Sequence, residues 1–170
     1  AVTRQNTFEA WMDDWLWPSD SMAPFPGVLT ASTDTHRFKL TLEASDDWVL
    51  QGKDGFSQKS DLGQASYYYS QPMIDIAGTI WVDNEPVDVA GQGWLDREWS
   101  SQPLADNQAG WDWVSFHLSD GSALMVYQLR HDSGEHYLSG SRVSESGEVT
   151  VLEAGDVTMT PQSATRLTIT

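Results

Sequence analysis

The densest run of residues able to do chemistry is Gly93-Trp94-Leu95-Asp96-Arg97-Glu98-Trp99. On a strand, alternate side chains share a face. Trp94, Asp96 and Glu98 then point one way, and Leu95, Arg97 and Trp99 the other. Two carboxylates on one buried face cannot both ionise freely. A carboxylic acid that keeps its proton among aromatic rings is a general acid. The same residues also read as a charged strand exit, with Arg97 paired to the next strand.

A second run is Gly110-Trp111-Asp112-Trp113-Val114-Ser115-Phe116-His117-Leu118. Trp111, Trp113, Ser115 and His117 share a face, and rings mixed with hydrogen-bonding groups suit a pocket wall. The plain alternative is core packing with His117 at a strand end. Asp112 falls on the other, apolar face, where it is a candidate ion-pair partner for Arg97. A third run is Ala65-Ser66-Tyr67-Tyr68-Tyr69-Ser70. Tyr67 and Tyr69 share a face and offer phenols to a ligand or rings to a cation. They read equally as ordinary strand tyrosines with solvated hydroxyls.

Other chemistries fail on residue type or spacing. No Gly-x-Ser-x-Gly elbow is present, and no histidine pair has metal-ligand spacing. The 25 acids include no EF-hand loop. Gly52-Lys53-Asp54-Gly55 is not a phosphate loop. With no cysteine, thiolate catalysis and disulfides are excluded. No metal and no cofactor is expected.

The elements that must position these runs read as strands. Period-2 alternation marks 36–42, 73–82, 87–99, 111–118 and 123–130. Asp83-Asn84-Glu85-Pro86 and Ser119-Asp120-Gly121-Ser122 are turns, the second a hairpin signal. Gly91 and Gly93 mark sites for a bulge or bend. Short strands fit 136–144, 148–153, 157–160 and 165–169, with a turn at Ser146-Gly147. That makes roughly eight to ten strands at sandwich or barrel spacing. No three-turn amphipathic helix appears. Residues 1–35 read as an irregular Trp/Pro-rich arm, and 36–170 as the β domain. Both ends look like cuts within a larger fold.

Composition bounds the partners. The chain has 170 residues, which fits one domain. Its formal net charge is −16, from nine Lys and Arg against 25 Asp and Glu. Arg97 is the one Lys or Arg between Lys59 and Arg130. Scattered cations exclude a nucleic-acid partner. No run approaches the ~18 apolar residues of a membrane-spanning helix. Nine tryptophans (11, 15, 17, 48, 81, 94, 99, 111 and 113) imply a rich core, an aromatic pocket, or both.

The three runs, in this order and spacing, resemble the AttH-like "predicted secreted hydrolase" family, which is related to carotenoid 1,2-hydratase. Leu50 to Lys59, Leu124 to Arg130 and Thr158-Met159-Thr160-Pro161 fit the same pattern. The resemblance implies an all-β, lipocalin-like antiparallel barrel, here an incomplete part of a two-domain protein. It implies bacterial origin and a secreted or periplasmic location. In the hydratase relatives an Asp protonates an isolated alkene, and aromatic and His side chains steady the carbocation while water adds. The aromatic-x-Asp pattern matches Trp94-x-Asp96, so Asp96 is the candidate catalytic acid and Trp94 a wall residue. The family's His-x-Trp pair falls on Tyr67 and Tyr69, so only the positions carry over.

Two functions follow as expectations. One is a hydro-lyase that binds an apolar or isoprenoid-like molecule with Trp94, Tyr67, Tyr69, Trp111, Trp113, His117 and Glu98, and protonates it from Asp96. The other is a non-catalytic lipocalin-like carrier or structural module fixed by a buried network of Asp96, Arg97, Glu98 and Asp112. A homodimer through exposed strand edges is a further expectation, since an incomplete barrel leaves edges open.

Overall fold

The computed structural model describes residues 7–45, 47–102, 104–134 and 136–160. Every regular element among them is a strand, with no helix. No helix is long and apolar enough to cross a membrane among the described residues. The chain divides into two compact units, residues 1–49 with 69–97 and residues 50–68 with 98–170.

The first unit is built from β1 (Glu9–Met12), β2 (Trp15–Pro18), β3 (Gly27–Ser32) and β4 (His36–Ala44). It also takes most of two long strands, β7 (Ala65–Val82) and β8 (Glu85–Trp99). The strand order is β1-β2-β3-β4-β7, with β8 on β7. The β7–β8 turn is Asp83-Asn84, with φ of 50° and 69°. Two positive values in a two-residue loop are what the twist of a tight hairpin requires, and Asp and Asn tolerate them.

Within the expected irregular arm of residues 1–35, residues 9–32 instead carry three strands. Their alternation was hidden by length. The Asp13-Asp14 turn, with Asp13 at φ 50°, and then Pro18, Pro24 and Pro26 break the segment into pieces of four to six residues, too short for a period-2 signal. The arm's aromatics enter the core. Phe25, Leu42 and Ile74 are buried, with Trp17, Leu29, Leu40, Trp48, Ile76 and Leu95 packed against them. Rings run in contact from Phe8 through Trp17, Phe25 and Trp48 to Tyr69. Trp17 Nε1 donates to the Pro24 carbonyl at 3.2 Å, which satisfies its one donor. Gly93, expected at a bend, is where Ile76 comes closest. A Cβ there would collide with Ile76 Cδ1.

The second unit contains a four-stranded antiparallel sheet in the order β12-β11-β10-β9. Its strands are β9 (Gln108–His117), β10 (Ala123–His131), β11 (Tyr137–Val143) and β12 (Val149–Glu153). β10 is buried on both faces, with Met125, Val126, Tyr127 and Leu129 all at or below 4% exposure. The hairpin at 119–122 is present. Asp120 accepts from the Ser122 amide and hydroxyl at 3.0 and 2.6 Å, and pairs with Arg142 at 2.8 Å. In the same unit the short β6 (Phe56–Gln58) pairs with Ala65 to Tyr67 at the start of β7. The remaining two-residue strand, β5 (Val49–Leu50), pairs with β7. The expected strand at 157–160 is absent. Val157 makes only an isolated bridge to Ala154, because Gly155-Asp156 turns the chain and leaves no ladder to extend. The strand expected at 165–169 lies outside the described residues.

Candidate functional site

In the second unit, buried polar chemistry centres on Lys59, which follows β6. Its side chain is 8% exposed and its Nζ lies 2.7 Å from Glu98 Oε1. The ammonium also faces the Tyr127 ring at 4.1 Å and the Tyr68 ring at 5.1 Å. An ammonium taken out of water needs a counter-charge or π faces around it, and Lys59 has both. The Ser66 hydroxyl donates to the same Glu98 oxygen at 2.5 Å. Both rings are themselves held. Trp113 Nε1 donates to the Tyr68 hydroxyl at 3.2 Å. The Tyr127 hydroxyl pairs with Ser57 at 3.0 Å and donates to the Gln58 carbonyl at 3.1 Å. Gln108 Nε2 donates to the Lys59 carbonyl at 2.8 Å, so the backbone beside the ammonium is fixed too. Burial pushes the Tyr137 phenol up to about 12, with the charges of Tyr127, Asp61 and Glu153 adding to it.

The register explains the cluster. Strand β7 buries Ser66, Tyr68 and Ser70 and turns Tyr67 outward. Tyr67 is 58% exposed and in contact with the exposed rings of Phe56 and Trp99, at 6.3 and 6.0 Å. The three tyrosines do alternate, but the inward one in this unit is Tyr68. Sequence reasoning missed Tyr68, Lys59 and Tyr127, although Lys59 stands in a run that fits the family pattern. The missing signal was pairing partner, because a lone Lys after a short polar strand reads as solvated.

On β9, Trp111 and Trp113 are 58% and 40% exposed and His117 sits exposed at the strand end. Asp112 was expected to pair with Arg97. Its carboxylate is engaged instead by Arg130. The register places Gln128 opposite Asp112, so Arg130, two residues along β10, reaches it from the same face. Arg97 is exposed.

In the first unit, Asp96 and Trp94 are half-buried. Ser70, wholly buried, donates to Asp96 Oδ1 at 2.6 Å. Tyr69 is half-buried and meets Trp48 edge-on at 5.1 Å. Two clefts open on this unit. One, of about 320 Å³, is lined by residues that include Ser19, Asp20, Ser21 and Glu43. The other, of about 330 Å³, is lined by Asp14, Arg37, Lys39, Trp81 and their neighbours. Neither is lined by Trp94 or Asp96. Among the described residues no group of three His, Asp or Glu is placed to hold a metal.

The sequence profile of the AttH-like family matches residues 1–169. The chain belongs to the AttH-like family. The crystal structure of an AttH protein from Nitrosomonas europaea superposes with a TM-score of 0.76 at 35% identity, over 85% of this chain and 45% of that one. Kievitone hydratase from Nectria haematococca superposes with a TM-score of 0.68 at 17% identity, over 86% of this chain and 46% of that one. At that identity the second likeness is one of fold. The AttH-like chain thus has the all-β, lipocalin-like fold expected of it, and spans less than half the length of either structure. No curated protein matches its sequence.

Proposed function

We propose that this AttH-like chain binds an apolar small molecule and takes part in adding water to a carbon–carbon double bond, with Asp96 as proton donor. The observation that carries this reading is the Ser70–Asp96 hydrogen bond. A carboxyl group that is half-buried and held in one orientation by a fully buried hydroxyl is positioned as an acid needs to be. Proton transfer from the Asp96 carboxyl to an alkene carbon gives a carbocation, and water then forms the C–O bond and gives up a proton that restores the carboxyl. Fold likeness to a named hydratase supports the reaction class.

The test is incubation with an acyclic isoprenoid alkene, geraniol, in ¹⁸O-labelled water, read by mass spectrometry. Asp96→Asn is expected to lower label uptake by about 100-fold or more while binding changes only a few-fold. Equal uptake by both forms overturns the assignment. A second reading, a carrier without turnover, is favoured by the Lys59–Glu98–Ser66 arrangement, which also makes sense as pure architecture. It predicts geraniol binding with no label uptake by the unaltered protein.

A further inference from the structure

The cleft of about 330 Å³ on the first unit has a composition at odds with the rest of the chain. In a protein of net charge −16, it is lined by two cations, Arg37 and Lys39, with Ser32 and Trp81. These are two of the three Lys or Arg among the described residues of that unit, Arg97 being the other. Among the described residues neither forms an ion pair with a carboxylate. With 25 acids in the sequence, that is not for lack of candidates.

The sheet explains why the two cations face the same space. Arg37 and Lys39 are alternate residues of β4, so they share a face. Arg37 lies opposite Ser32 of β3 and Trp81 of β7, which puts all three side chains in one row. The guanidinium is held over the Trp81 ring at 4.4 Å. That contact uses a face of the guanidinium plane and leaves its N–H edge for an acceptor. An immobilised guanidinium edge presents a flat fork that matches two oxygens at once, and an ammonium beside it adds a point charge. Asp14 also lines the cleft, and its charge opposes an anion there.

We propose that this cleft is a binding site for a small oxyanion, the carboxylate or phosphate group of a small metabolite. Arg37 grips two of its oxygens, Lys39 supplies charge, and the Ser32 hydroxyl donates a hydrogen bond. The site is independent of Asp96 and of any water-addition chemistry. It also adds a polar recognition element to a chain otherwise read as a binder of apolar molecules.

The experiment is an amide and indole N–H titration of the ¹⁵N-labelled protein by NMR. Sodium benzoate and inorganic phosphate are the two probes, at ionic strength held constant with sodium chloride. A saturable shift of the Trp81 indole and of amides in 30–32 and 37–39 is expected with at least one probe. Saturation by benzoate alone assigns a carboxylate, and by phosphate alone a phosphate. Removing both charges, R37Q/K39Q together should weaken binding about tenfold. D14N should tighten it by removing the opposing charge. Both cations are exposed, and the single variants R37Q and K39Q report the same loss in part if the double variant loses spectral dispersion. Absence of a saturable shift with either probe overturns the proposal. So does equal affinity in the substituted protein, because the shifts would then come from anions elsewhere on the chain.

Discussion

The two units each hold a strand carboxylate against a buried serine of β7, and they do so with different surroundings. Asp96 in the first unit accepts from Ser70. Glu98 in the second accepts from Ser66 and from the ammonium of a buried lysine on the same oxygen. A hydroxyl partner is neutral, and losing it costs about one ordinary hydrogen bond. An ammonium inside a protein has no such latitude, since removing its counter-ion strands a charge away from water. The comparison sets a carboxylate held by a neutral hydroxyl against one that also holds a buried ammonium. A pair of acids that looked equivalent in sequence is thus split by a single cation.

The largest expected effect follows from that cation. Glu98→Ala leaves Lys59 among Tyr68 and Tyr127 without a counter-charge, which should cost about 3 kcal/mol, the low end for a broken buried pair because Glu98 is partly exposed. Asp96→Ala should cost less, about 2 kcal/mol, since it takes a charged acceptor from a neutral buried hydroxyl rather than a counter-ion from an ammonium. Urea denaturation of both measures the contrast. Lys59→Met combined with Glu98→Gln should recover much of the loss, because it removes the charge along with its partner. Equal destabilisation by the two single alanines would end the distinction between the carboxylates.

A pH experiment sharpens the same contrast from the phenols of the second unit. Burial raises Tyr137 from 10.0 to about 12, so the folded state holds the proton that the unfolded chain releases first. Its contribution to stability is complete below pH 10 and is lost as pH rises from there through about 12. Tyr137→Phe should flatten that part of the stability profile, followed by circular dichroism. A profile unchanged by the substitution would mean that this phenol is not shielded.

Much of the fold was legible in the sequence because its strands are long and half-buried. The alternation of 36–42 and of 74–77 is a direct trace of one face in and one face out, whereas on 111–118 Phe116 and Leu118 of the apolar face are exposed. β1 to β3 were illegible because the Asp13-Asp14 turn and the prolines after it cut them short, and their tryptophans gave bulk without periodicity. Within the candidate site, the alternation that relates Asp96 to Glu98 was readable, since it depends on one strand. The partners were not, since they depend on registers between strands distant in sequence. Lys59 reaches Glu98 from 39 positions away. Asp112 takes Arg130 rather than Arg97 because β10 lies beside it in a particular register. Nothing local in the chain encodes either choice.

That second pair gives the smallest effect and the cleanest control. Arg130 and Asp112 have side chains 42% and 43% exposed, against 8% for Lys59 and 41% for Glu98, so the pairs differ in the cation alone. Water solvates both ions when the pair opens, so Asp112→Asn should cost under about 1 kcal/mol. Salt should erase even that, since at 1 M the screening length falls to about 3 Å. The Glu98 substitution should keep more of its cost at the same salt, because the buried Lys59 ammonium is poorly reached by mobile counter-ions. Melting curves of both variants at low and high sodium chloride make the comparison. If Asp112→Asn proves as costly as Glu98→Ala, or if salt removes both losses alike, exposure does not govern these pairs. The arrangement around Lys59 would then be one more surface contact rather than the anchor of its unit.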